Sequence, residues 1–103
     1  MKVMERIIQE LPPEKLDAFK EFQRKLDAPS ARLGFPPLRW YTSFFTAEQS
    51  FTLVCEREWP SMAALEATYA KADADPEYTS QTASWSSVGK SHREELWLVG
   101  LGY

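Results

Sequence analysis

The sequence predicts an α+β fold in the order β-α-β-β-α-β, with four antiparallel strands in one sheet and the helices on one face. Two observations predict it. Apolar residues recur at helical spacing in two stretches, 16–26 and 62–85, and four shorter runs rich in β-branched and aromatic residues surround them. Only Ala47-Glu48-Gln49-Ser50 separates the two middle runs, which suits a hairpin built around a type I turn.

The elements follow in order. Lys2 to Ile8 is Val- and Ile-rich and reads as the first strand. Leu11-Pro12-Pro13-Glu14 punctuates it; proline is tolerated in a first helical turn, and Glu14 and Asp17 suit the positive end of a helix. Leu16, Phe19, Phe22, Gln23 and Leu26 form the inward stripe of the first helix, with Pro29 as its expected end and 29–37 as a loop. Strands are expected at 38–46 and 51–59. Setting Thr46 opposite Phe51 places Phe44 against Leu53 and Thr42 against Cys55 on one face. On the other face it puts Tyr41 against Glu56 and Arg39 against Glu58, a charge-complementary cross-strand pair. Trp59-Pro60 stops that strand, and Ser61 is an N-cap for a helix whose face carries Met62, Leu65, Tyr69 and Ala72. Asp75-Pro76 restarts the helix, Tyr78, Thr82 and Trp85 share a face, and Gly89 ends it. Leu96 to Leu101 is the last strand.

At 103 residues the chain has room for one domain, 1–103, with a thin core. Its 15 acidic and 12 basic residues give a net charge of −3, and no Lys/Arg run supplies the footprint nucleic acid or anionic lipid requires. The single cysteine excludes an internal disulfide and a cysteine-based metal cluster. Charges at Glu5, Arg6 and Glu10 are foreign to a signal peptide, and no long uncharged apolar run suits a membrane span, so a cytoplasmic protein is expected. Aromatic residues, 14% of the chain, exceed what one thin core needs and are expected to line a pocket or a subunit interface.

With both helices on one side, the other sheet face bears Tyr41, Phe45, Val54 and charged residues, and a second copy of the sheet is its expected cover. Arg39-Trp40-Tyr41, the run from Leu53 through Trp59-Pro60-Ser61 to Tyr69, and Asp75-Pro76-Glu77-Tyr78 resemble the NIPSNAP-like branch of the dimeric α/β-barrel superfamily. Glu94-Glu95-Leu96-Trp97 and the opening Leu11-Pro12-Pro13-Glu14 up to Phe19 are in keeping. The resemblance implies a ferredoxin-like fold, a homodimer with sheets face to face, and a cavity between sheet and helices or inside the barrel. It fixes no reaction, because the superfamily includes monooxygenases, haem-degrading enzymes and isomerases.

Candidate chemistry is sparse. His92, the one histidine, lies in the polar stretch Lys90-Ser91-His92-Arg93 and reads as a loop residue. No histidine occupies 61–88, where a haem-binding barrel of this kind would place one, and no metal or cofactor is expected. Glu56 and Glu58 share a strand face; they suit acid–base work in a cavity or, with Arg39, a structural ion pair. The residues expected to touch a ligand are Tyr41, Glu56, Arg39 and Glu58 from the sheet, with Trp40 and Trp85 in the apolar wall. Arg57 is expected to stack on Trp40, and Cys55 to be buried beside Thr42 and unreactive. The functional expectation is a homodimeric binder of a small apolar or aromatic molecule. The alternative is a cofactor-independent monooxygenase or isomerase acting on an aromatic or polyketide-like substrate.

Overall fold

The computed structural model describes residues 1–43 and 51–100. Strand β1 (Val3–Leu11) leads through a 3-10 turn, Pro13–Lys15, into helix α1 (Leu16–Leu33). Strands β2 (Arg39–Thr42) and β3 (Phe51–Trp59) follow, then helices α2 (Met62–Asp73) and α3 (Pro76–Ala83). A 3-10 turn, Ser84–Ser87, precedes strand β4 (Ser91–Leu98). The sheet order is β2-β3-β1-β4 with every pairing antiparallel, the ferredoxin-like arrangement expected.

Alternation along β1 and β3 separates the two faces. Val3, Glu5, Gln9 and Leu11, with Leu53, Cys55, Arg57 and Trp59, are buried on the helix side. The apolar core divides at this face. Val3, Phe35, Trp59, Leu65 and Ala72 fill one end, and Leu11, Phe19, Phe22 and Leu53 fill the other. Between them the helix side of the sheet carries Ile7, Cys55 and the polar Glu5, Gln9 and Arg57.

Four elements differ from the sequence expectation. Helix α1 runs through Pro29 and ends at Gly34, whose φ of 92° is the left-handed conformation glycine adopts readily. There the Gly34 N–H donates to the Ala31 carbonyl and the Phe35 N–H to the Ser30 carbonyl, closing the helix end. An internal proline costs a helix about 3 kcal/mol; here Pro29 is itself fully buried and Leu33 packs on the core, so tertiary burial carries the last turn.

The hairpin register is shifted by two residues, with Arg39 opposite Glu56, Trp40 opposite Cys55, Tyr41 opposite Val54 and Thr42 opposite Leu53. An even shift leaves every residue on its expected face. It sets Glu56 between two cations, with Arg6 Nε at 3.1 Å and Arg39 Nη2 at 3.9 Å, in place of the expected Arg39–Glu58 pair. The expected turn at 47–50, and Phe44 and Phe45, lie outside the described residues.

Strand β1 extends to Leu11, beyond the expected end at Ile8, because Gln9 to Leu11 pair with β3. Strand β4 begins at Ser91, not Leu96, since the polar residues Ser91 to Glu95 pair with Glu10 to Arg6 of β1. His92 is therefore a strand residue opposite Gln9, not a loop residue. The starts of α2 and α3 are as expected: the Ser61 hydroxyl accepts from the Ala64 N–H at 3.1 Å, and Asp75 Oδ1 accepts from the Tyr78 N–H at 2.9 Å.

Candidate functional site

The divided core leaves a cavity of about 370 Å³ between sheet and helices. Strands β1 and β3 supply its floor with Ile7, Gln9, Cys55 and Arg57, and Trp40 projects from β2. Phe22 and Leu26 descend from α1, Tyr69 and Tyr78 from α2 and α3, and Trp85 from the turn after α3. His92 and Glu94, two apart on β4, complete the wall. Mostly apolar and aromatic walls with a few converging polar groups are the usual makeup of a small-molecule site.

A buried ionic network fixes one end. The Glu5 carboxylate, 2% exposed, accepts from Arg57 Nε at 2.6 Å, from Trp59 Nε1 at 3.0 Å and from the Tyr69 hydroxyl. One Nη of Arg57 donates to the Tyr69 oxygen at 2.8 Å. The Arg57 guanidinium lies 4.4 Å from the Phe35 ring centroid, with the Trp59 and Tyr69 rings farther off at 5.5 and 5.8 Å, so its nearest aromatic partner is Phe35 and not the expected Trp40. Trp40 instead meets Phe19 edge-on at 5.6 Å. Burial works against the charge on Arg57, but Tyr69 and Glu5 beside it raise its pKa above the ordinary value and keep it cationic.

The groups around the floor resist ionisation. Burial pushes the Cys55 thiol up to about 12, and burial also raises Tyr69 and Tyr78. A buried thiol held as neutral S–H is no nucleophile. Each of these groups binds its proton more tightly in the folded chain than in the unfolded one. The stability they contribute is therefore fully present below the ordinary thiol value of 9.0 and is lost as pH rises through the folded values. Urea titrations are expected to show stability falling steadily from pH 9 toward about 12; a flat profile over that range contradicts these shifts.

At the other end, Trp85 meets His92 edge-on at 5.0 Å and donates weakly to Gln9 Oε1 at 3.4 Å. Its position depends on Gly89: a Cβ there would lie 2.1 Å from Trp85 Cζ2. Gly89→Ala must therefore move the indole, at a cost of about 1–3 kcal/mol for overpacking. Denaturation and near-UV circular dichroism check this, and unchanged values of both contradict the packing.

The structure does not bring the six sequence-selected residues together. Trp40 and Trp85 line the helix-side cavity. Arg39, Tyr41, Glu56 and Glu58 belong to the opposite sheet face, where Arg39, Glu56 and Glu58 border a second, more open depression with Met4, Arg6 and Trp97. On that face Arg6 bonds Glu56, approaches Glu95 at 3.6 Å and lies 5.6 Å from the Trp97 ring centroid. Sequence reasoning missed Glu5, Gln9 and the role of Arg57. One signal was present, since a Glu and a Gln at alternating positions of a Val/Ile-rich strand fall on the same face as its buried residues. His92 was misplaced with the start of β4.

A four-stranded ferredoxin-like sheet, one face covered by helices over an aromatic cavity and the other open, defines the class of this protein. The fold is that of NIPSNAP proteins, as the sequence resemblance implied: a NIPSNAP family protein from Agrobacterium tumefaciens matches with a TM-score of 0.77 at 12% identity, covering 99% of this chain and 89% of that one. A dimeric protein of unknown function and ferredoxin-like fold from Bacteroides fragilis matches at 0.65 and 13% identity, over 93% and 94% of the two chains. A putative antibiotic biosynthesis monooxygenase from Nitrosomonas europaea matches at 0.63 and 13% identity, over 98% and 92%. The chain matches no protein-family model and no curated protein. Among the described residues no helix is long and apolar enough to cross a membrane, and no cluster of His, Cys, Asp and Glu could hold a metal ion.

Proposed function

We propose that this chain is a homodimeric NIPSNAP-like protein that binds a small apolar or aromatic molecule between its sheet and helices. The observation that carries the reading is the cavity of about 370 Å³ left between the two halves of the core, walled by Trp40, Trp85, Phe22 and Tyr78. The dimer reading rests on the open sheet face. Tyr41 and Trp97 are half exposed there beside the Arg6–Glu56 pair. A second copy laid face to face would cover these rings, and Arg39, Tyr41, Glu56 and Glu58 would then line the space between the sheets. The dimeric Bacteroides fragilis protein of the same fold supports this.

Fluorescence titration with naphthalene tests the binding: saturable quenching of tryptophan emission is expected, and none up to the solubility limit contradicts it. Sedimentation at micromolar concentration is expected to give about twice the 11.9 kDa chain mass, and a stable monomer contradicts the dimer.

A second reading, a cofactor-independent monooxygenase or isomerase acting on an aromatic or polyketide-like substrate, draws on His92 and Glu94 in the cavity wall. An imidazole and a carboxylate in one wall can exchange protons with a bound molecule. The fold it shares with the putative monooxygenase from Nitrosomonas europaea is compatible with this. Turnover that is lost in His92→Ala, with binding retained, would favour it.

A further inference from the structure

We propose that Arg57 is the specificity-determining donor of the cavity, selecting flat apolar molecules that carry an uncharged carbonyl oxygen over carboxylates and over plain hydrocarbons. The inference rests on the cavity reading above and goes beyond it in naming the chemical class of the ligand.

Arg57 is 6% exposed and held on three sides. Glu5 takes Nε, Tyr69 takes one Nη, and Phe35 lies against the guanidinium. The second Nη makes none of the described side-chain hydrogen bonds. Yet no buried side-chain nitrogen or oxygen among the described residues lacks a partner. That nitrogen therefore opens onto space, and the space Arg57 lines is the cavity. A guanidinium is a donor only. Whatever displaces water from it must bring an acceptor, because a hydrocarbon leaves a charged donor dehydrated and unsatisfied.

Charge decides which acceptor. Glu5 already neutralises Arg57, and Glu94 is a second carboxylate at the cavity wall. A ligand carboxylate would lose its hydration beside a cation whose charge is already paired, with two negative groups nearby. A ketone, ester or amide oxygen satisfies the same Nη and adds no charge. Tyr78, whose hydroxyl burial keeps protonated, lines the same cavity. Trp40 and Trp85 supply flat walls for the apolar body of such a ligand.

The test compares naphthalene, 2-acetonaphthone and 2-naphthoate on the full chain by fluorescence titration. The ketone is expected to bind about ten- to a hundredfold tighter than naphthalene, the scale of one hydrogen bond to a charged donor, and tighter than the carboxylate. The carbonyl stretch of bound 2-acetonaphthone is expected at lower frequency than in water, the signature of a stronger donor. Because Arg57→Ala would strand the buried Glu5 charge and endanger the fold, Glu5→Gln is combined with Arg57→Met, which removes the charge pair and every donor at position 57. In that variant the gap between ketone and naphthalene should close. Naphthalene binding as tightly as the ketone, or the carboxylate binding tightest, overturns the proposal while leaving a binding cavity. If none of the three binds, the cavity reading itself is overturned, and the role of Arg57 with it.

Discussion

Replacing Glu5 with alanine is expected to lower the unfolding free energy by about 3–5 kcal/mol, the usual cost of stripping one partner from a buried ion pair. The carboxylate gathers three donors at 2% exposure, so its removal strands Arg57, Trp59 Nε1 and the Tyr69 hydroxyl together. Small domains have about 5–15 kcal/mol of stability in all, so much of the variant population should be unfolded in mild urea. Glu5→Gln keeps an acceptor and the side-chain shape and should lose less. Urea denaturation checks both variants; a loss for Glu5→Ala below that for Glu5→Gln contradicts the network. The contrast is Glu56→Ala on the open face. In the single chain its partner Arg6 is one-third exposed, and a solvent-accessible pair of that kind is worth about 0–1 kcal/mol, so this variant is compared at concentrations low enough to hold the chain as a monomer.

The second large effect is expected at Phe35. Its ring stacks on Tyr78 at 5.4 Å, meets Tyr69 and Trp59 edge-on at 5.1 and 5.6 Å, and lies against the Arg57 guanidinium. Phe35→Ala should therefore cost about 3–5 kcal/mol from lost burial and the cavity left behind. It should also free Arg57 and Tyr78 to move and so weaken binding in the cavity. Phe35→Leu refills most of the volume and should recover part of the stability. Thermal denaturation of the two variants separates these terms, and equal melting temperatures for Phe35→Ala and the parent chain contradict the packing.

Much of the fold was legible in the sequence because its signals are local. The apolar stripe Leu16–Phe19–Phe22–Leu26, the Ser61 and Asp75 caps and the alternation along β3 each depend on a few neighbouring residues. What failed was set by distant partners. Pro29 reads as a helix breaker until its burial and the Gly34 cap are known. Ser91 to Glu95 are too polar to read as strand, and only their pairing with β1 orders them. The hairpin register was underdetermined, since both alignments preserve the faces and only Arg6, from another strand, shows why Glu56 sits where it does.

The candidate site was legible only in part, for a related reason. Trp40 and Trp85 follow from aromatic excess and periodicity. Glu5, Gln9 and Arg57 are charged or polar, and their burial follows from the company they keep across three elements. Alternation did separate Glu56 and Glu58 from Arg57, but not which face encloses a cavity.

The proposed function requires a ligand to bind on the helix side of the sheet. The four indole N–H resonances of the chain report on this directly, because Trp40 and Trp85 line the cavity and Trp97 lies on the other face. Titrating the nitrogen-15-labelled protein with 2-acetonaphthone should shift the Trp40 and Trp85 indole signals and leave that of Trp97 in place. A shift confined to Trp97, with Trp40 and Trp85 unmoved, would put the ligand on the open face beside Arg39, Tyr41 and Glu56 and contradict binding on the helix side.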